Sequence, residues 1–302
     1  MNKIKLLIIA LCLTLPIPAV ATGDWFTMAA GSGDGGAAVT TDFVFTVRTT
    51  GASETFMIPC QNVGVFNAVV DWGDGGATST ITTYNDADLA HIYASAGDYQ
   101  IHISGTFPNI YFNSAGDKLK IRSVENLGVV GWTRFNNAFY GCTNLATFVG
   151  GNTDTAAVTN MQDMFRSCSG LTALDVSGFS TAAVTNMSAM FYGCSGLTAL
   201  DVSGFSTAAV TNMSSMFQNC SGLNVNVSGF SIAALTIATN MMSGSAFGNA
   251  NYDALLVAWA AQEPNILNSV ALHAGTAKYT EAAARAVLAT THSWTITDGG
   301  SL

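Results

Sequence analysis

The sequence predicts a mainly β protein with short helices, built around a parallel β solenoid. Three observations carry this. A 26-residue unit recurs through the middle of the chain. Within each unit the apolar period switches from two to between three and four. Charge is scarce: 10% of residues are Asp, Glu, Lys or Arg, well below the roughly 25% of an ordinary soluble domain. Ser, Thr, Asn and Gly must then supply most of the surface polarity, as they do in extracellular β-rich proteins.

The first element is not part of the fold. Lys3 and Lys5 precede an apolar run from Leu6 to Leu15, followed by Pro16, Pro18 and Ala19-Val20-Ala21. This is the order of a secretory signal, predicted over 1–21. The apolar run is too short to span a bilayer, so no membrane span is expected once the signal is cleaved. Loss of the two lysines takes the net charge from −9 to −11. Such a chain has no basic patch for phosphates, which excludes nucleic acid as an expected partner. Residues 22–41, rich in Gly, Ala and Thr, are read as a flexible leading segment.

A small β module is predicted over 42–125. Val69 to Gly75 reads as a strand running into an Asp-Gly turn. His91 to Tyr99 then leads into the alternating run Gln100 to Ser104. Trp72-Gly73-Asp74-Gly75 together with His91-x-Tyr93-x-x-x-Gly97-x-Tyr99 resembles the immunoglobulin-like PKD module of extracellular proteins over about 42–105. That resemblance implies a β-sandwich or a trimmed form of one. Asp71, Asp74 and Asp34 were weighed as Ca²⁺ ligands, but isolated Asp-Gly pairs are far more often plain turns.

The repeats follow over 126–248. Met164–Ala189 and Met190–Ser215 match at 23 of 26 positions, with a degraded copy from Ala138 and a copy one residue short from Met216. Units this small cannot bury an apolar face alone, so they stack. Leu174 and Val176 alternate with Asp175 and Ser177, the period of a half-buried strand. Leu171 and Phe179 flank it and should point inward. Val184, Met187, Phe191 and Cys194 are spaced three, four and three apart, which predicts a helical turn returning to the next strand. The string Met-Phe-x-x-Cys-x-x-Leu-Thr-x-Leu-Asp-Val-Ser-Gly-Phe, then Val-Thr-Asn-Met, resembles the BspA-type leucine-rich-repeat surface proteins over about 138–247. The resemblance implies an exposed solenoid used in adhesion or partner binding.

An α/β cap is predicted over 249–302. Tyr252, Leu255, Leu256 and Trp259 make one apolar helical face. A strand at Ser269–His273 follows, then a helix capped by Thr280 and running to about Thr290, then a strand beginning at Trp294.

The repeat spacing lines up candidate site residues in columns. Cys142, Cys168, Cys194 and Cys220 form one column, read as buried thiols, disulfides or metal ligands, with buried thiols favoured because each completes an apolar face. Asn160, Asn186 and Asn212 form a second, expected to satisfy backbone groups at the coil corner. Asp175 and Asp201, flanked by Thr172, Ser177, Thr198 and Ser203, form an outward strip where a glycan, an extracellular protein or Ca²⁺ would bind. The bland alternative is a solvated face that discourages aggregation. Val149 takes the equivalent place one coil earlier, so the acidic strip is short.

Catalysis has no motif to stand on. His91, His102, His273 and His292 share no motif, and Glu54, Glu125, Glu263 and Glu281 are scattered. No nucleophile elbow, zinc-protease helix, phosphate loop or dinucleotide fingerprint occurs. The expectation is an exported binding protein with no catalysis, cofactor or metal. The alternatives are a structural spacer or assembly subunit of a surface layer, fibre or phage-like appendage, and a carbohydrate-binding accessory protein.

Overall fold

Alternation of large apolar and polar residues makes Phe43–Thr49 (β1) the central strand of the first part, with Phe43, Phe45 and Val47 fully buried. The computed structural model describes residues 40–302. The predicted signal peptide, most of the leading segment and Asp34 lie outside them. Strand β1 pairs antiparallel with Gly97–Thr106 (β6) on one side and Ile121–Asn126 (β7) on the other. Asn67–Asp71 (β3) and Ser79–Ile81 (β4) complete that side of the sheet. Glu54–Met57 (β2) and Ala90–Tyr93 (β5) pair with each other in a separate two-stranded sheet, and Phe56 of β2 meets Phe45 at 6.1 Å between ring centroids. The predicted Asp-Gly turn joins β3 to β4. Asp71 and Asp74 each accept an amide two residues on, from Gly73 and Gly76. Gly73 is obligatory: its φ is +75°, and a Cβ there would lie 2.2 Å from the Gln100 carbonyl oxygen.

Strand β7 belongs to two arrangements at once. It is antiparallel to β1 and parallel to Thr147–Val149 (β8), which is parallel to Ala173–Asp175 (β9). One seven-stranded sheet, in the order β4-β3-β6-β1-β7-β8-β9, therefore runs from the first part into the repeats. Residues Val39–Leu302 form one compact unit. With 22% strand and 10% helix, the chain is mainly β with few short helices.

Two local expectations for the coils are corrected. The regular parallel ladder on the leucine side stops at β9: Ala199–Asp201 is not a strand. The return segment is not helical either. Asp163, Phe165 and Ser167 donate their amides to Ser188, Met190 and Tyr192 of the next coil, while Met164, Arg166 and Cys168 donate to the residue three before. The reason is backbone handedness. Asn137, Asp163, Ala189 and Ser215, 26 residues apart, all have φ between 51° and 57°, and Gly141, Ser167, Gly193 and Asn219 form a second left-handed column. A left-handed residue every fourth position ends each helical turn and swings the next amide towards the neighbouring coil. Tight turns and helices share the three-four apolar spacing, so the sequence pattern did not separate them.

Inside, equivalent side chains stack. Phe139, Phe165, Phe191 and Phe217 form a column with centroids 5.8, 5.8 and 5.5 Å apart and nearly parallel planes. Met161, Met187 and Met213 form another, fully buried. Each buried large apolar side chain contributes about 1.5–3 kcal/mol, so these columns dominate the stability of the stack.

The C-terminal part closes the end. Asn249–Ala260 (α1) buries Tyr252, Leu255, Leu256 and Trp259, the predicted face. Ala271–His273 (β10) pairs parallel with Thr295–Thr297 (β11), and Leu272 of β10 bridges Ala238 of the last coil. Thr280 does not cap the following helix, Ala282–Ala286 (α2), with its side chain. Its hydroxyl donates to Asp253 of α1 at 2.7 Å, and Asp253 also accepts the amides of Thr280 and Glu281. A π-helical turn, Val287–Thr291, continues α2.

Candidate ligand-binding face

The coils place the column residues by repetition, so each column has one local geometry used several times. In the asparagine column, Asn160, Asn186 and Asn212 each accept, through Oδ1, the amide two residues on, all at 2.9 Å. Parallel bridges join Asn160 to Asn186 and Asn186 to Asn212. The side-chain oxygens are thereby committed to holding the corner, and Nδ2 of Asn186 donates to Gln162 of the coil before at 3.2 Å.

The cysteine column is a column of thiols. Cys142, Cys168, Cys194 and Cys220 are free and buried, as Cys60 is free and half-buried. Cys168, Cys194 and Cys220 donate to the carbonyls of Phe139, Phe165 and Phe191 one coil back, at 3.1, 3.0 and 2.9 Å. Burial pushes the thiols of Cys142, Cys168 and Cys194 well above their ordinary value, and that of Cys220 to about 12. A thiol held neutral and hydrogen-bonded is neither a nucleophile nor a metal ligand. Among the described residues no group of three His, Cys, Asp or Glu side chains converges, and no helix is long and apolar enough to cross a membrane.

The acidic strip is exposed along its length: Thr172, Asp175, Ser177, Thr198, Asp201 and Ser203 all face solvent. Asp175 accepts the Ser177 amide at 2.9 Å and Asp201 the Ser203 amide at 2.8 Å. The Ser203 amide holds the Asp201 carboxyl below the usual carboxylate range. Thr172 donates to the Ala146 carbonyl at 3.2 Å; among the described residues Thr198 makes no equivalent bond to Thr172. The strip is not uniform in shape. Thr198, Asp201 and Ser203 line a shallow hollow of about 600 Å³ with Leu200, Asn224, Asn226 and Ser228, whereas Thr172, Asp175 and Ser177 lie on the coil before it. Asn226 continues the column Val149, Asp175, Asp201, and accepts the Ser228 amide at 3.0 Å as the aspartates do.

Two features escaped the sequence reading. Thr155, Thr181 and Thr207 are buried and bridge consecutive coils. Thr155 donates to the Ser180 carbonyl and accepts the Ser180 amide, and Thr181 does the same with Ser206. The string Phe179-Ser180-Thr181, repeated 26 residues on as Phe205-Ser206-Thr207, was the available signal. The other is Arg166, whose guanidinium lies 5.2 Å from the Tyr140 ring centroid and 4.7 Å from that of Tyr192, in adjacent coils. Its ion pair with Asp163 at 3.1 Å balances its charge.

The profile of a family described as "Mycoplasma protein of unknown function, DUF285" matches residues 133–255, which take in the coils and the first half of α1. No curated protein and no solved structure matches the chain.

Proposed function

We propose that the chain is an exported, surface-exposed binding protein without catalytic activity, whose coils form a leucine-rich-repeat-like solenoid of the BspA type presenting its strand face to an extracellular protein or glycan. The observation that carries this reading is the column Asp175, Asp201, Asn226, exposed on successive coils, whereas the threonine and cysteine columns are buried and bonded between coils. A repeat stack fixes such a column at near-constant spacing, set by the strand separation of about 4.8 Å. The family match over 133–255 is compatible with the BspA-type resemblance. Buried, neutral thiols and scattered histidines support the absence of catalysis. The first part, with its β2–β5 pair packed against the larger sheet, supports a trimmed PKD-like module.

The test is a binding screen of the purified protein against matrix proteins, cell-wall polymers and glycans, with cell fractionation in parallel. Saturable binding by a monomer, weakened when Asp175 and Asp201 are both replaced by Ala, is the expected result. Self-assembly with no ligand would move the function to a structural one.

A further inference from the structure

The hollow in the strip lies where the repeat changes length. The copy from Met216 is one residue short: Phe217 donates to Met241, 24 residues on, whereas Phe165 and Phe191 donate to residues 25 on. The loss falls between Leu223 and Val227, where Leu197-Thr198-Ala199-Leu200-Asp201-Val202 in one coil is followed by Leu223-Asn224-Val225-Asn226-Val227 in the next. Val202 and Val227 are both buried, Asp201 and Asn226 both exposed, and buried Val225 stands two before Val227 as half-buried Leu200 stands two before Val202, so the missing residue is the counterpart of Ala199. Leu200 lines the hollow.

The groups around it are of one kind. Asp201 uses Oδ1 for the Ser203 amide and Asn226 uses Oδ1 for the Ser228 amide. That leaves Oδ2 of Asp201 as an acceptor and Nδ2 of Asn226 as a donor, one coil apart. Thr198, Ser203 and Ser228 add hydroxyls, and Leu200 supplies an apolar floor. No basic side chain lines the hollow, which disfavours an anionic ligand beside Asp201. A carboxylate acceptor beside an amide donor is the pattern that takes adjacent hydroxyls, each of which gives one hydrogen and accepts another. Its volume falls within the roughly 300–1,000 Å³ of ordinary small-ligand sites.

We infer that the hollow between Asp201 and Asn226, where a full coil meets the shortened one, is a subsite for a neutral saccharide bound through a vicinal diol. This rests on the reading of the strip as a binding face. It adds Asn226, and the shortened coil itself, to the determinants of specificity.

The test titrates the whole protein with neutral oligosaccharides of glucose, mannose, galactose, xylose and N-acetylglucosamine, by calorimetry and ligand-observed NMR. At least one should bind saturably. Asp201→Ala and Asn226→Ala should each weaken it about tenfold, the effect of removing a hydrogen-bonding partner from a polar ligand. Asp154→Ala, an exposed aspartate outside the strip, should leave it within about twofold. Inserting an alanine between Asn224 and Val225 restores the 26-residue coil and should abolish binding, with the melting curve showing that the variant folds. No binding across the panel, or binding indifferent to Asp201 and Asn226, overturns the saccharide site. If the panel fails while a protein partner is still lost on replacing Asp175 and Asp201, the binding face stands and only the saccharide is wrong. If a basic peptide or Ca²⁺ binds at Asp201 instead, the ligand class is wrong.

Discussion

The Cys194 thiol donates to the carbonyl of Phe165, 29 residues earlier, at 3.0 Å, and the same bond recurs for Cys168 and Cys220 one coil to either side. The carbonyl also accepts the Cys168 amide, so the thiol adds a second, weaker bond to a group already satisfied. Sulfur here is a small apolar filler with one useful hydrogen.

All five thiols of residues 22–302 should therefore be present, with the four of the column hidden. Native protein at pH 8 should react with no more than one equivalent of a thiol reagent, at Cys60, because burial keeps the ladder thiols neutral. Five equivalents should appear on denaturation without reductant. A count of three or fewer would mean that the column is oxidised. Cys194→Ala should cost only about 1–2 kcal/mol by denaturant unfolding, a small cavity and a weak bond.

The threonine column should matter more per atom. Thr181 both donates to and accepts from Ser206. Thr181→Val keeps the shape and removes both bonds to Ser206. The expected loss is about 2 kcal/mol, the sum for two hydrogen bonds of about 1 kcal/mol each. A loss equal to that of an exposed Thr172→Val control would show that water replaces the hydroxyl.

Ala189 holds a left-handed conformation, φ 51°, at the column position where Asn137 and Asn240 also stand. Alanine pays roughly 1 kcal/mol there, and asparagine less. Ala189→Asn should raise the urea midpoint by the equivalent of about 0.5 kcal/mol. A lower midpoint would argue that the segment is helical after all.

The end of the stack should be the acid-sensitive part. Asp298 accepts the Tyr252 hydroxyl at 2.7 Å and Arg285 Nε at 2.8 Å. Burial opposes its ionisation, but the Tyr252 and Arg285 hydrogen bonds together outweigh that and hold the carboxyl below its usual range. A depressed acid stabilises the fold fully above its unfolded value of about 3.9 and loses that contribution as pH falls through the lower, folded value. Trp294 fluorescence should therefore report loosening of the cap below about pH 4. Asp298→Ala should cost about 3 kcal/mol at neutral pH, because it leaves Arg285 and Tyr252 without their shared acceptor.

By itself the sequence determined the repeat, its length, the residues that form each column and the buried face of α1. The reason is that equivalent positions in near-identical coils experience the same surroundings, so periodicity is itself structural information. It also marked Asp175 and Asp201 as outward, because strand alternation puts every second residue on the surface. Three matters were decided only by the tertiary structure. Handedness at Asp163, Ala189 and Ser215 is invisible to apolar spacing, since turns and helices repeat alike, and it alone sends alternate amides to the next coil. The dual pairing of β7 depends on a strand with two free edges meeting β1 and β8, a long-range choice that no local pattern encodes. The hollow beside Asp201 lies where a full coil meets the shortened one, and only packing brings Leu200 and Asn226 to its walls.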